Sequence, residues 1–278
     1  NSAPPLALFG EGQPALWAVL ACAAILPFLP FVGLPLISDD YTQWFFARRY
    51  ISAAGLPSLV QDVLYRGRTT SLLLTRLLDA AFGLSQAPSL LAGLALHALN
   101  TMLLFRLAMD LRLQPATAAA TALCFAVYSG HQEAIVWIAS QHELLVFAAG
   151  ACAALCWLRW LDRGGWWGAA ATLSYLVALY SKESGVVVLP LLGFLWWVRG
   201  PREALRLAPL GLLAAFTFYY AWAIFDASAS HQHLNDGTFS PHAAFWITLP
   251  ASLLRLLWPA GLVALPFIWF GPAPAVRR

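Results

Sequence analysis

The chain has 278 residues, 60% of them hydrophobic and only 10% charged, with a formal net charge of +3 and a mean hydropathy of +0.69. A soluble domain carries about a quarter charged residues, so the composition excludes an ordinary soluble enzyme and a basic nucleic-acid-binding module. It predicts an all-α integral membrane protein, with 1–278 forming one transmembrane helical domain.

The first charge-free run, residues 16–36, is long enough to cross a hydrocarbon core, which takes about 20 helical residues. It lacks the basic leader and short core of a secretory signal. Two adjacent carboxylates, Asp39 and Asp40, stand where it ends. Neighbouring side chains cannot point the same way, so one can face a cavity while the other binds an Arg, a sugar hydroxyl or a metal. The competing reading is a solvated helix end with local pairing to Arg48 or Arg49.

Residues 37–86 form the first loop, and within it 69–84 reads TTSLLLTRLLDAAFGL. Leu73, Leu74, Leu77, Leu78 and Ala81 recur at helical spacing, with Arg76 and Asp79 on another stripe. As a crossing, this segment would put both charges near the bilayer centre at roughly 2.5–3.5 kcal/mol each. As an amphipathic helix lying in the interface it costs little. The expectation is a juxtamembrane interfacial helix.

Seven further apolar runs follow: 89–105, 113–130, 144–158, 164–181, 184–198, 207–225 and 243–270, the last broken by Arg255 and three prolines. The total is about eight transmembrane helices. Fifteen Arg and one Lys supply the positive charge, so orientation is read from Arg. Arg106 and Arg112, then Arg159 and Arg163, then Arg199, Arg202 and Arg206, then Arg277 and Arg278 occupy alternate gaps. The positive-inside rule puts those gaps in the cytoplasm. Asp39, Asp40, Glu133, Lys182 and the polar stretch 226–242, a candidate lid, then share the extracytoplasmic face. Arg-rich, Lys-poor usage points to a GC-rich bacterial genome, and with the apolar runs the expected location is a bacterial inner membrane.

Other residues carry weaker signals. Glu133 sits between apolar stretches with Trp137 one turn on, a setting that disfavours its charge. Lys182–Glu183 joins two short runs, so the turn should sink below headgroup level, where a charged pair either lines a polar cavity or satisfies itself. His97 and Asn100 fall on one helix face and read as hydrogen-bond links between helices. Cys152 and Cys156 read as small buried hydrophobes, and His131 and His142 as interfacial residues. No zinc or phosphate-loop motif is visible, and no metal site is assigned.

In chain order, Asp39-Asp40, Tyr65-Arg66, Phe82-Gly83, His97 and Asn100, Glu133 to Ala139, Glu143-Leu144-Leu145 and Ser181-Lys182-Glu183 form an ordered set. With it the chain resembles the C superfamily of membrane glycosyltransferases (GT-C), which use polyprenyl-phosphate sugars. It looks most like the branch related to protein O-mannosyltransferases. The resemblance implies that Asp39 or Asp40 is the general base for an acceptor hydroxyl. It implies that Glu133 assists in that pocket or helps hold a divalent ion, the one cofactor suggested. Arg66, Arg68 and Lys182 would hold the lipid phosphate, and membrane lipids with a polyprenyl-phosphate-linked sugar would be the partners.

Three motifs differ from the family pattern: Ser129-Gly130 replaces His-Pro, Gln141 replaces Arg, and Arg66-Gly67 replaces Arg-Pro. They leave a second reading open, a non-catalytic subunit that packs against other membrane proteins through Trp166, Trp167, Trp196 and Trp197. The enzyme reading expects a lipid-sized groove walled by Asp39 or Asp40, Glu133 and Lys182. The subunit reading expects a shallow or plugged cavity.

Overall fold

The computed structural model describes residues 14–52, 68–199, 207–226 and 244–254, and among them every regular element is helical. Arg66, the stretch 227–243 and the chain beyond 254 lie outside the described residues. The chain divides into two compact units, 1–231 and 232–278. The first holds α1 (Pro14–Ile25), α2 (Asp39–Tyr50), α3 (Thr69–Phe82), α4 (Gln86–Asp110), α5 (Pro115–Val127), α6 (Gln132–Val136), α7 (His142–Arg163), α8 (Trp167–Leu179), α9 (Val188–Arg199) and α10 (Ala208–Asp226). The second holds a short apolar helix, α11 (Phe245–Leu254).

Among the described residues two stretches are long and apolar enough to cross a membrane: α4, and Ile138–Arg163, which is α7 with the 3-10 turn before it. Other runs form shorter apolar helices, such as α5 and α8 with 13 residues each. The first run does not form one helix. α1 stops at Ile25, a turn follows, and a 3-10 helix covers Leu29–Gly33. Pro27 and Pro30 explain the break, since each removes a backbone donor and its ring clashes with the preceding turn.

α7 is the central helix, with α4, α8 and α9 packed on it, while α1 and α5 pack on α4. Close approach comes from small residues: Ala149, Ala153 and Ala154 of α7 meet Ala171 and Ala178 of α8 in one buried cluster. Trp157 donates its indole N–H to the Leu192 carbonyl at 2.9 Å. His97 donates to the Ala126 carbonyl at 3.0 Å and Asn100 to the Leu144 carbonyl at 2.9 Å. Both side chains are fully buried and link helices, as their spacing predicts.

The bundle has two distinct ends. At one, Asp110 pairs with Arg106 at 3.1 Å and Arg159 at 3.3 Å, and Asp162 pairs with Arg199 at 2.9 Å. These are arginines that the sequence assigns to one side. At the other stand Asp39, Glu133 and Lys182, reached by α7 and α8 from their opposite termini. Gly164, at φ +70°, and Gly165, at φ +74°, make the turn between those two helices, in a backbone region open to glycine.

Both termini of α3 are tied to the Asp39 end. The Thr70 amide donates to the Tyr180 carbonyl at 3.0 Å, just past α8. At the far terminus Asp79 takes a two-pronged contact from Arg48 of α2, at 2.8 and 2.6 Å. α3 therefore lies across that end of the bundle and does not run through it. Its faces are reversed relative to a helix in water. Ser71, Leu72, Thr75 and Asp79 are buried, whereas Leu73, Leu77 and Phe82 are exposed. α2 is mixed: it exposes Tyr41 and Phe45 beside Thr42, Arg48 and Arg49, and buries Gln43 with Trp44, Ala47 and Tyr50.

Candidate functional site at the Asp39 end

Asp39 and Asp40 open α2, and the structure separates their roles. Asp40 is 2% exposed. One carboxylate oxygen accepts the Ile37 amide at 3.0 Å, and the other accepts the Ala139 amide at 2.8 Å. Burial pushes its pKa above the ordinary 3.8, against the two amide bonds, which pull it down. Asp40 is thus a clasp between the first loop and the turn before α7. It also secures Ser38, which takes a φ of +39°, a costly conformation for a residue with a Cβ. Asp39 is exposed and touches only the Ser38 hydroxyl, at 3.4 Å, among its described contacts.

Arg48 pairs with Asp79 of α3, where the sequence allowed local pairing to the acidic doublet. Asp79 also accepts Arg76 at 3.1 Å. The Arg48 hydrogen bond holds the Asp79 carboxyl below the usual carboxylate range. Together these contacts fasten α2 to α3.

Glu133 stands exposed in the short helix α6. The apolar walls expected around it are absent because Ile135, two residues on and 1% exposed, takes the inward direction and turns Glu133 outward. Nearby, His131 packs on Phe125 with ring centroids 4.3 Å apart and on His97 at 5.4 Å. Burial, with His97 adding to it, brings the His131 pKa down to about 4.

Lys182 and Glu183 do not satisfy each other. Lys182 is extended, at φ −164° and ψ 159°, so adjacent side chains diverge. Lys182 pairs with Glu143 at 2.6 Å, and Ser184 donates to the same carboxylate at 2.8 Å. Glu183 receives Arg68 through two bonds of 3.1 Å. Two of the three cations expected to hold phosphate, Arg68 and Lys182, are thus each engaged by a carboxylate, and the three loops are laced together. Glu143 enters here as a paired acid, a role that its place in the quoted Glu-Leu-Leu segment does not reveal.

Between α2, α3, α4 and the start of α7 lies a narrow cleft with space for about one water. Its polar lining is Gln43, Ser71, Thr75, Ser89, Gln141 and His142. Asp39, Asp40, Glu133 and Lys182 are not among its walls. Sequence reading missed this group, although Ser71, Thr75 and Asp79 repeat every four residues, which marks one helical stripe.

The described residues do not fit a divalent ion. Both Asp40 oxygens are held by amides, Glu133 stands apart, and no group of three His, Cys, Asp or Glu side chains converges among the described residues. A hard cation takes six or more oxygens, several of them from carboxylates or carbonyls. The chain matches no protein-family model, no curated protein and no solved structure.

Proposed function

We propose that the chain is a GT-C-like membrane glycosyltransferase, moving a sugar from a polyprenyl-phosphate carrier to an acceptor on the extracytoplasmic face of a bacterial inner membrane. The observation that carries this reading is the reversed face of α3 within the α2–α3 layer. A helix that buries Ser71, Thr75 and Asp79 while exposing Leu73, Leu77 and Phe82 suits a surface wetted by lipid. In this reading the layer is the juxtamembrane element and the apolar helices around α7 are the crossings, about eight in all. Polar loops then meet beside the lipid, where a carrier's headgroup would arrive.

Asp39 is the better base of the acidic pair, because Asp40 has both oxygens committed to amides. The acceptor hydroxyl oxygen would bond to the anomeric carbon as its proton passes to Asp39. The bond from that carbon to the phosphate oxygen breaks, and the electron pair leaves with the phosphate. Arg68 and Lys182, with Arg66, would offset its charge, Arg68 and Lys182 exchanging Glu183 and Glu143 for phosphate oxygens. The test is transfer in proteoliposomes from a radiolabelled polyprenyl-phosphate hexose, using Asp39→Asn and Asp40→Asn. Loss in Asp39→Asn with intact folding supports the reading. Full activity in that variant overturns it.

A second reading, a non-catalytic subunit of a larger membrane complex, is favoured by the narrowness of the cleft and by the pairing of Arg68 and Lys182. Its contact face would be aromatic: Trp166 and Trp197 are 66% and 71% exposed, and Trp166 stacks on Trp167 at 3.9 Å. Stable co-purification of other membrane proteins, lost in Trp166→Ala with Trp197→Ala, supports it; a monodisperse monomer counts against it.

A further inference from the structure

Six of the twelve buried polar or charged side chains of the described residues line the one cleft at the Asp39 end. Burying polar groups costs free energy unless something hydrogen-bonds to them, so the lining calls for an accounting of donors and acceptors. Gln43 donates to Thr75, and Thr75 to the Ser71 carbonyl, at 3.2 and 3.1 Å. Ser71 donates to the Arg68 carbonyl and Ser89 to the Ser85 carbonyl, each at 3.0 Å. Gln141 donates to the Ser89 carbonyl at 2.9 Å. All three hydroxyl protons are therefore spent on the backbone. His142 is 7% exposed, and its Nδ1 is buried with no hydrogen-bond partner.

The lining offers acceptors, the hydroxyl lone pairs and, in the neutral Nε2–H tautomer, His142 Nδ1, beside the second amide N–H of Gln43. An occupant that both donates and accepts a hydrogen suits it. A cationic donor is disfavoured, since no carboxylate lines the cleft. A neutral hydroxyl meets the requirement, and a space for about one water admits one hydroxyl oxygen. The remaining wall includes Leu74, Leu78 and Leu145, all half-buried. Leu74 lies one turn from exposed Leu77, so the apolar lip continues into the outward stripe of α3.

We propose that this cleft binds the hydroxyl head of a neutral, single-chain lipid alcohol, with His142 Nδ1 accepting its hydrogen and the leucine lip holding the start of its chain. The proposal rests on the lipid-facing reading of α2 and α3 given above, and is separate from the transfer reaction.

The test uses the full chain in lipid nanodiscs with two photoreactive probes, 1-hexadecanol and its methyl ether, each with a diazirine on the alkyl chain. Cross-linked residues are read by mass spectrometry. The alcohol should label Leu145 and the lip about fivefold more than the ether, the worth of about one hydrogen bond. His142→Phe and Thr75→Val should each reduce that preference. Equal labelling of Leu145 by the two probes in the unmodified chain overturns the proposal, whether or not the variants fold. Displacement of the alcohol by an equal concentration of methyl glucoside overturns the lipid assignment in favour of a soluble polyol. Labelling of Phe45 and Phe82 by both probes reports the lipid contact of the α2–α3 layer. Its absence would reject that reading while leaving the alcohol-to-ether ratio to judge the cleft.

Discussion

The carboxylate of Asp40 accepts the amide hydrogen of Ala139 at 2.8 Å, joining two loops that lie 99 residues apart in sequence. With the Ile37 amide on its other oxygen, this one side chain sets where α2 begins and how it sits against the turn before α7. Asp40→Asn keeps one acceptor and puts an amide donor against a backbone N–H. It should cost about 1–3 kcal/mol, the penalty for a buried unsatisfied group. Asp39→Asn, at an exposed position, should change stability by less than about 0.5 kcal/mol. Thermal unfolding of both variants in the same detergent checks the contrast, and equal midpoints would refute it.

Acid should loosen this end in two windows. The His131 pKa is lowered to about 4 from 6.5, so the folded state binds its proton later than the unfolded chain. Its contribution is present above about pH 6.5 and is lost as pH falls toward about 4. Asp79, held below 3.8 by Arg48, gives a contribution present above that value and lost as pH falls through its lower folded pKa. Asp40, raised above 3.8, acts in the opposite sense, favouring the fold at low pH and losing that advantage as pH rises through its folded value. Midpoint-against-pH curves should flatten above pH 4 in His131→Phe and below it in Asp79→Asn.

The Lys182–Glu143 pair should couple weakly despite its 2.6 Å separation. Its side chains are 27% and 37% exposed, and pairs open to solvent are worth about 0–1 kcal/mol. A double-mutant cycle with Lys182→Met and Glu143→Gln should return a coupling below about 1 kcal/mol, shrinking with added salt. A larger, salt-independent value would mean that the pair is shielded from water.

Gly185 should tolerate no side chain. A Cβ built there meets the Ala178 carbonyl and lies 2.8 Å from Leu179 Cα, both backbone atoms of α8. Gly185→Ala should destabilise by about 1–3 kcal/mol through overpacking. Because the 3-10 turn carrying Gly185 also carries Glu183, the same variant should increase proteolysis near Arg68, read by limited trypsin digestion.

Asn100→Leu removes the bond to the Leu144 carbonyl inside the bundle. The expected loss is about 1 kcal/mol, typical of hydrogen bonds between helices in lipid. Unfolding in mixed micelles measures it, and no loss would show that the carbonyl finds another donor.

Helix positions were legible because apolar runs and charge gaps are local properties. The run 89–105 sits inside α4, and 144–158 inside α7. His97 and Asn100 were readable as interhelical links because a polar group in an apolar run has few alternatives. The pairing of charges was not legible. Lys182 and Glu183 are neighbours in sequence, yet they reach Glu143 and Arg68, choices that depend on an extended backbone and on three loops meeting. The division of labour between Asp39 and Asp40 was hidden for the same reason, since the Ala139 amide is a backbone group that leaves no trace in a side-chain pattern.

The outward leucines of α3 also bear on how the protein is handled. In the membrane reading proposed above, an amphiphile belt too thin to reach Leu73, Leu77 and Phe82 would leave them in water, where they would favour turning inward and driving out Ser71 and Thr75. Extraction in compact, short-chain surfactants should therefore unseat α3 before it disturbs α7 and α8, and the Arg48–Asp79 contact would be an early casualty.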